Sequence, residues 1–256
     1  MASWQRLTAL VLMACAAGSV AADTLTYVPV ALGWSAVEVE RATSPNLLAL
    51  VHRAEATHSL GCRRHCQRLQ HIFGRLVEQA RGQSSHAQAL DWSLTVVQGS
   101  EVDALALPGG QVLISEDFID RQAPTDEALA FLLAHEMAHS VLEHERQALT
   151  FARLLLPRHV PRTVRDMYVE MDFNLGLIKA MEPVLQQGEF EADELGLLMA
   201  SAAGYAPAAQ LAFIAGQAAS AETSLQLVAT HPAAATRLRQ LQLRLPLAER
   251  VRSRAK

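Results

Sequence analysis

The sequence predicts an α+β domain, mostly helical, with one small antiparallel sheet. Three observations predict it. Apolar residues recur at helical spacing along most of the chain, as at Leu69, Ile72, Phe73, Leu76 and Val77. Branched and aromatic residues gather in one region, as three short runs around "PGG" at Pro108–Gly110. The chain has 256 residues and is 50% hydrophobic, enough for one globular domain with a sizeable core and short appendages.

The N-terminal "MASWQR" leads into the apolar run "LTALVLMACAAGSVAA". Residues 1–22 have the form of a secretory signal peptide, with small residues before a cut after Ala22. An uncleaved anchor is the alternative, although about sixteen apolar residues are short for a membrane span. "LMAC" also allows a lipid anchor at Cys15. Residues 23–44 lack periodicity and are expected to run extended. The domain proper is expected over 45–245, followed by a basic tail over 246–256.

Within the domain, a long helix or helix pair ends near "GQSS". Its His52, His58, His65 and His71 sit among Arg and Gln and read as a solvated face. Cys62 and Cys66 are spaced to share a helix face, which suits either a local disulfide or two free thiols. "DWSLTVVQ", "VDALAL" and "QVLISE" are the three strands, the last two joined by the tight-turn chemistry of "PGG". Thr125 caps the next helix, Asp126 and Glu127 suit its positive end, and it is expected to reach about residue 155. Pro157 and Pro161 interrupt. An amphipathic segment follows around Met167–Leu185, then a helix from about Glu189, one opened by Pro207, and a last one in "THPAAATRLRQLQLRL". Net charge is −4, so no broad basic surface invites nucleic acid.

The chemistry concentrates in "LLAHEMAHSVLEHE", residues 132–145. His135 and His139 stand four apart, so on a helix their imidazoles can converge on one cation. Glu136 points to the edge of that face, placed to take a proton from the attacking water and deliver it to a leaving amine. H-E-x-x-H alone arises by chance in roughly a few per cent of chains this rich in histidine. His144 lies nine residues from His135, about 180° around a continuous helix, and is expected to face away. Glu143 and Glu145 read as solvated acids. A catalytic zinc needs three protein ligands and one open position. "GEFEADELG" supplies candidates: Glu189 as third ligand and Asp193, one turn on, to hydrogen-bond a ligand imidazole from behind. Glu191 is expected to face elsewhere. Taken alone, this segment would be an acidic first turn answering the helix dipole.

In this order, H-E-x-x-H and E-x-E-A-D-x-x-G resemble the HtpX and CAAX prenyl endopeptidase family of gluzincin metallopeptidases, and the small exported bacterial members above all. "ALPGGQVLIS", "AGYAP" and "THPAAATRL" extend the resemblance from about Asn46 to Leu241. It implies a mostly helical gluzincin-type domain with one Zn2+ per chain held by His135, His139 and Glu189. Glu136 is then the general base and Asp193 the carboxylate behind His135. His231 falls where the family places a histidine near the metal, to stabilise the oxyanion or to cap the zinc; a helix-capping or surface role is the alternative. Arg237 either binds a substrate carbonyl or pins the loop to acids. Asp103 departs from the family's frequent Asn. Met167, Met171, Phe173, Leu177, Ile178 and Met181 form either a lid that touches membrane or ordinary core.

The implied function is a zinc-dependent endopeptidase in cell-envelope protein quality control, exported to the bacterial periplasm or its membrane face. Unfolded or unassembled proteins would be its substrates, with membrane-surface contact and no nucleic acid. The alternative is a chaperone-like envelope protein whose zinc is latent and which cleaves little or nothing.

Overall fold

A computed structural model describes residues 33–42, 45–99, 103–220 and 231–255. The expected leader, its cut after Ala22 and Cys15 lie outside the described residues. Among the described residues no helix is long and apolar enough to cross a membrane.

The described chain opens on α1 (Ala36–Ala42), where an extended segment was expected. The reason is local. Ser35 Oγ accepts the N–H of Glu38 at 3.2 Å, and Glu38 Oε2 accepts the N–H of Ser35 at 2.8 Å. This is a capping box, readable in "SAVE". α2 (Pro45–Ala56) and α3 (Cys66–Arg81) follow, with Leu69, Ile72, Phe73 and Leu76 of α3 buried. Cys62 forms a disulfide with Cys66, the first residue of α3. The loop they close wraps the fully buried Glu116, whose carboxylate accepts the N–H groups of Arg63, Arg64 and His65.

After the short α4 (Ser85–Ala89) come β1 (Ser93–Val97), β2 (Ala104–Leu107) and β3 (Gln111–Ser115). The sheet is mixed, in the order β1-β3-β2. β2 and β3 form the expected antiparallel hairpin, but β1 runs parallel to β3. Gly109 and Gly110 sit at φ +84° and +88°, which makes the tight turn. The turn fixes β2 against one side of β3, and β1 takes the other. Central β3 is therefore buried on both faces: Val112 and Ile114 enter the main core, and Leu113 joins Ala54 of α2.

α5 (Glu116–Gln122) leads to α6 (Asp126–Val141), capped by Thr125. α6 is buried nearly all round, with Leu129, Ala130, Leu133, Ala134, Met137 and Ala138 at 0% exposure, as befits the central helix of a core. The helix does not continue to residue 155. Glu143 adopts a left-handed conformation (φ 56°, ψ 34°), and α7 (His144–Leu155) starts afresh. α8 (Val164–Phe173) precedes α9 (Leu175–Ala202), a 28-residue helix with Pro183 inside it, which absorbs two segments expected to be separate. Met167, Leu177 and Met181 are core residues of a second cluster with α7, while Phe173 is exposed.

α10 (Pro207–Ser220) and α11 (Ala234–Arg254) complete the fold. The expected basic tail is the end of α11, with Ala248 fully buried and Arg252 Nε donating to Gly204 O at 3.1 Å. Its apolar Leu245, Leu247 and Val251 pack against the α9–α10 cluster, which outweighs the basic composition.

Candidate metal centre

α6 and α9 pack closely, and one glycine permits it. A Cβ on Gly196 would stand 2.8 Å from His135 N and 2.9 Å from its Cα, so only hydrogen fits between the helices. That contact sets the "GEFEAD" segment, midway along α9, opposite the H-E-x-x-H face.

Three donors converge there. His135 Nε2 lies 3.2 Å from His139 Nε2 and 3.6 Å from Glu189 Oε2. His139 Nε2 lies 3.4 Å from Glu189 Oε1. Four-coordinate zinc with ligands at about 2.0–2.1 Å has ligand-to-ligand edges of roughly 3.3–3.4 Å. The separations of 3.2–3.6 Å are of that order, with the two Glu189 oxygens facing one histidine each. Glu189 Oε2 is buried without a hydrogen-bond donor, a lone pair that a cation would satisfy. The residues present fit zinc on both counts.

The electrostatics agree. Burial lowers the His135 imidazole, but contacts to Asp193 and Glu189 outweigh it and raise it to about 10. Burial works to raise Glu189, yet the neighbouring His135, His231 and His139 bring it down to about 2. His139 is pushed well below its usual value by burial and by its neighbours His135 and His144. This set of acids favours positive charge at its centre.

Around the donors, Asp193 Oδ1 stands 3.0 Å from His135 Nδ1, though off the N–H axis. Arg237 grips Asp193 with two bonds, Nε to Oδ2 at 2.7 Å and Nη2 to Oδ1 at 2.6 Å, which favours the pinning alternative for that arginine. His231 Nε2 lies 3.6 Å from Glu189 Oε1, with its side chain 68% exposed. Glu136 faces the same cavity. Its Oε2 accepts the N–H of Ala106 in β2 at 2.8 Å, and burial raises its pKa.

His144 differs from expectation. It does not face away: its Nδ1 lies 2.9 Å from His139 Nδ1 and its Nε2 3.2 Å from Glu191 Oε2. The angular argument assumed one continuous helix, and the left-handed Glu143 turns the chain back. Glu191, directed away from the donor cluster as expected, reaches from α9 to His144 of α7 and stays partly exposed. Glu143 is paired with Arg146, and Glu145 accepts the Tyr168 hydroxyl at 2.6 Å, so neither is a simple solvated acid. No Gly or Pro signals the break, which is why the sequence hides it.

The cavity has a volume of about 730 Å³. β2 and its turn form one wall, α7 and α9 another, and Ala36, Val39 and Glu40 of α1 close part of the rim. A Cβ on Gly109 would come within 2.8 Å of Glu40 Oε1, so α1 reaches the β2–β3 turn.

This chain is similar to proteins named mitochondrial metalloendopeptidase OMA1. It is 29% identical to that of Schizosaccharomyces pombe over 167 residues, 62% of this chain and 48% of the relative. It is 28% identical to that of Saccharomyces cerevisiae over 198 residues, 72% of this chain and 57% of the relative. It is 28% identical to that of Arabidopsis thaliana over 135 residues, 50% and 26% of the two chains. The chain thus spans about half or less of most of these relatives. Their named compartment is the mitochondrion, which overturns the expected location in the bacterial periplasm. A short apolar run after one arginine specifies no particular membrane. The family described as Peptidase family M48, whose metallopeptidases use zinc, matches residues 64–245, so the chain belongs to peptidase family M48.

Proposed function

We propose that this chain is a zinc-dependent endopeptidase. The observation that carries it is the convergence of His135, His139 and Glu189 beside Glu136 in one cavity. When bound, zinc acts as a Lewis acid towards a carbonyl oxygen and makes water more acidic. His135, His139 and Glu189 hold it. Asp193 orients His135, and Arg237 keeps Asp193 in place. Glu136 takes the proton of the attacking water and passes it to the leaving amine. Its raised pKa brings it nearer the working range of a general base. His231 stands where it can donate to the developing oxyanion.

β2 is an edge strand, and its hairpin register supports a role in substrate binding. Asp103 O accepts from Ser115 N, so Asp103, Leu105 and Leu107 bond towards β3, while Ala104 and Ala106 present their backbone groups outwards. An extended peptide can pair with that edge whatever its sequence, which suits unfolded or unassembled proteins as substrates and protein quality control as the role. Narrower kinship with the HtpX and CAAX prenyl endopeptidases rests on the order of motifs.

Replacing Glu136 with Gln tests the chemistry. Casein cleavage is expected to fall by at least about 100-fold while one zinc per chain is retained. Undiminished cleavage refutes the assignment. A second reading is motivated by the contact of His231 with Glu189, although His231 stands outside the group of three converging donors: a shift of its loop would bring a fourth ligand. A closed four-ligand site makes zinc latent and the protein a chaperone-like binder. His231→Ala separates the two: faster cleavage supports capping, and slower cleavage supports the oxyanion role.

A further inference from the structure

We propose that His144 and Glu191 form a positioning relay that sets the tautomer and orientation of His139. The proposal rests on the zinc reading above and assigns hydrogens to two rings. Nε2 of His139 is the nitrogen turned towards His135 and Glu189, so its lone pair must be free to ligate. Nδ1 then carries the hydrogen. That hydrogen points at His144 Nδ1, 2.9 Å away. Two N–H groups cannot face each other at this distance, and two bare nitrogens gain nothing, so His144 Nδ1 is bare and accepts.

The hydrogen of His144 therefore sits on Nε2. Its partner is Glu191 Oε2 at 3.2 Å, a carboxylate that can only accept. Glu191 is itself held by Gln187 Nε2, which donates to Oε1 at 2.8 Å. Each contact requires the tautomer that the next one needs. The side chain of His144 is 10% exposed, and the bare Cα of Gly188 leaves room for its ring: a Cβ there would stand 3.4 Å from Nδ1.

The two ligand histidines are thus oriented by different means. His135 has the carboxylate of Asp193 3.0 Å from its Nδ1, off the N–H axis. His139 has a carboxylate one imidazole further away. A neutral ring fixes His139 without adding another anion to a site that already holds Glu136, Glu189 and Asp193.

The test uses the full chain and reads zinc itself. Zinc affinity is measured by chelator competition for wild type, His144→Asn, His144→Leu and Glu191→Ala, with apo-protein melting curves to check folding. The Asn oxygen replaces the Nδ1 acceptor, whereas Leu keeps bulk only. His144→Leu is expected to weaken zinc binding about 10- to 100-fold, Glu191→Ala to weaken it less, and His144→Asn to stay close to wild type. Nitrogen-15 NMR of the histidine rings in the zinc-loaded protein should show hydrogen on Nδ1 of His139 and Nε2 of His144. The proposal falls if Leu and Asn weaken binding equally, if none of the three variants changes it, or if His144 carries its hydrogen on Nδ1. Glu191 is partly exposed, so Glu191→Ala keeps the test open should His144→Leu fail to fold. Wild type that binds no zinc, or binds it equally well as His139→Ala, would instead sink the zinc reading. Normal wild-type binding with unaffected His144 variants sinks the relay alone.

Discussion

Gly196 shows how one missing side chain holds a site together. Its neighbours are the backbone of His135 and Ala134, which cannot swing aside as a side chain could. Gly196→Ala must push α9 away from α6, and overpacking of this kind costs about 1–3 kcal/mol. For a domain of this size each kcal/mol is worth about 2–4 °C of melting temperature, so the metal-free variant should melt roughly 2–12 °C lower. It should also bind zinc more weakly, because Glu189 and Asp193 move with α9. Gly74, whose Cβ would meet nothing within 4 Å, is the control. Gly74→Ala in α3 should be neutral or gain about 0.5–1 kcal/mol. Differential scanning calorimetry with chelator competition checks both. The sequence displayed this glycine inside E-A-D-x-x-G, but only the crossing of two helices gives it meaning.

Among the elements, β2 couples the sheet to the chemistry. Its Ala106 N–H is outside the ladder to β3 and holds Glu136. Ala106→Pro should therefore leave the hairpin paired and the zinc bound, yet strip Glu136 of its donor and the edge of a pairing group. We expect kcat/KM on an unfolded substrate to fall at least about tenfold, with zinc content unchanged; intact activity would argue that substrate does not use this edge. Element types were legible because periodicity is local: α3, α6 and the three strands follow from spacing and turn residues. Pairing was not legible, since the parallel β1–β3 contact depends on which side of β3 the hairpin leaves free. The break at Glu143 also escaped, because a left-handed glutamate carries no punctuation, and with it went the placement of His144 and Glu191. α1 escaped for a different reason: its capping box was present but too short to show periodicity.

For the whole molecule, the donor set joins helices far apart in sequence. His135 and His139 belong to α6 and Glu189 to α9, so zinc held by the three would tie the two central helices across the core. Ligand binding to the folded state adds about 2.7 kcal/mol at a hundredfold excess over Kd, or roughly 5–11 °C here. Removing zinc with a chelator should lower the melting temperature by that order, and readdition should restore it. Glu189→Ala should melt at one temperature with or without metal. The ligand set could be suggested from sequence because each motif is short and its order is informative. The cleft that surrounds it could not, since its walls come from segments with no motif. The candidate site residues lie between 135 and 237, whereas part of the rim is built from Ala36, Val39 and Glu40, upstream of the region that defines the family. Part of the cleft's rim thus comes from a stretch of chain separate from the one that carries the candidate site. Exchanging the segment around α1 between related chains is expected to change the ratio of kcat/KM among peptide substrates while zinc affinity stays the same.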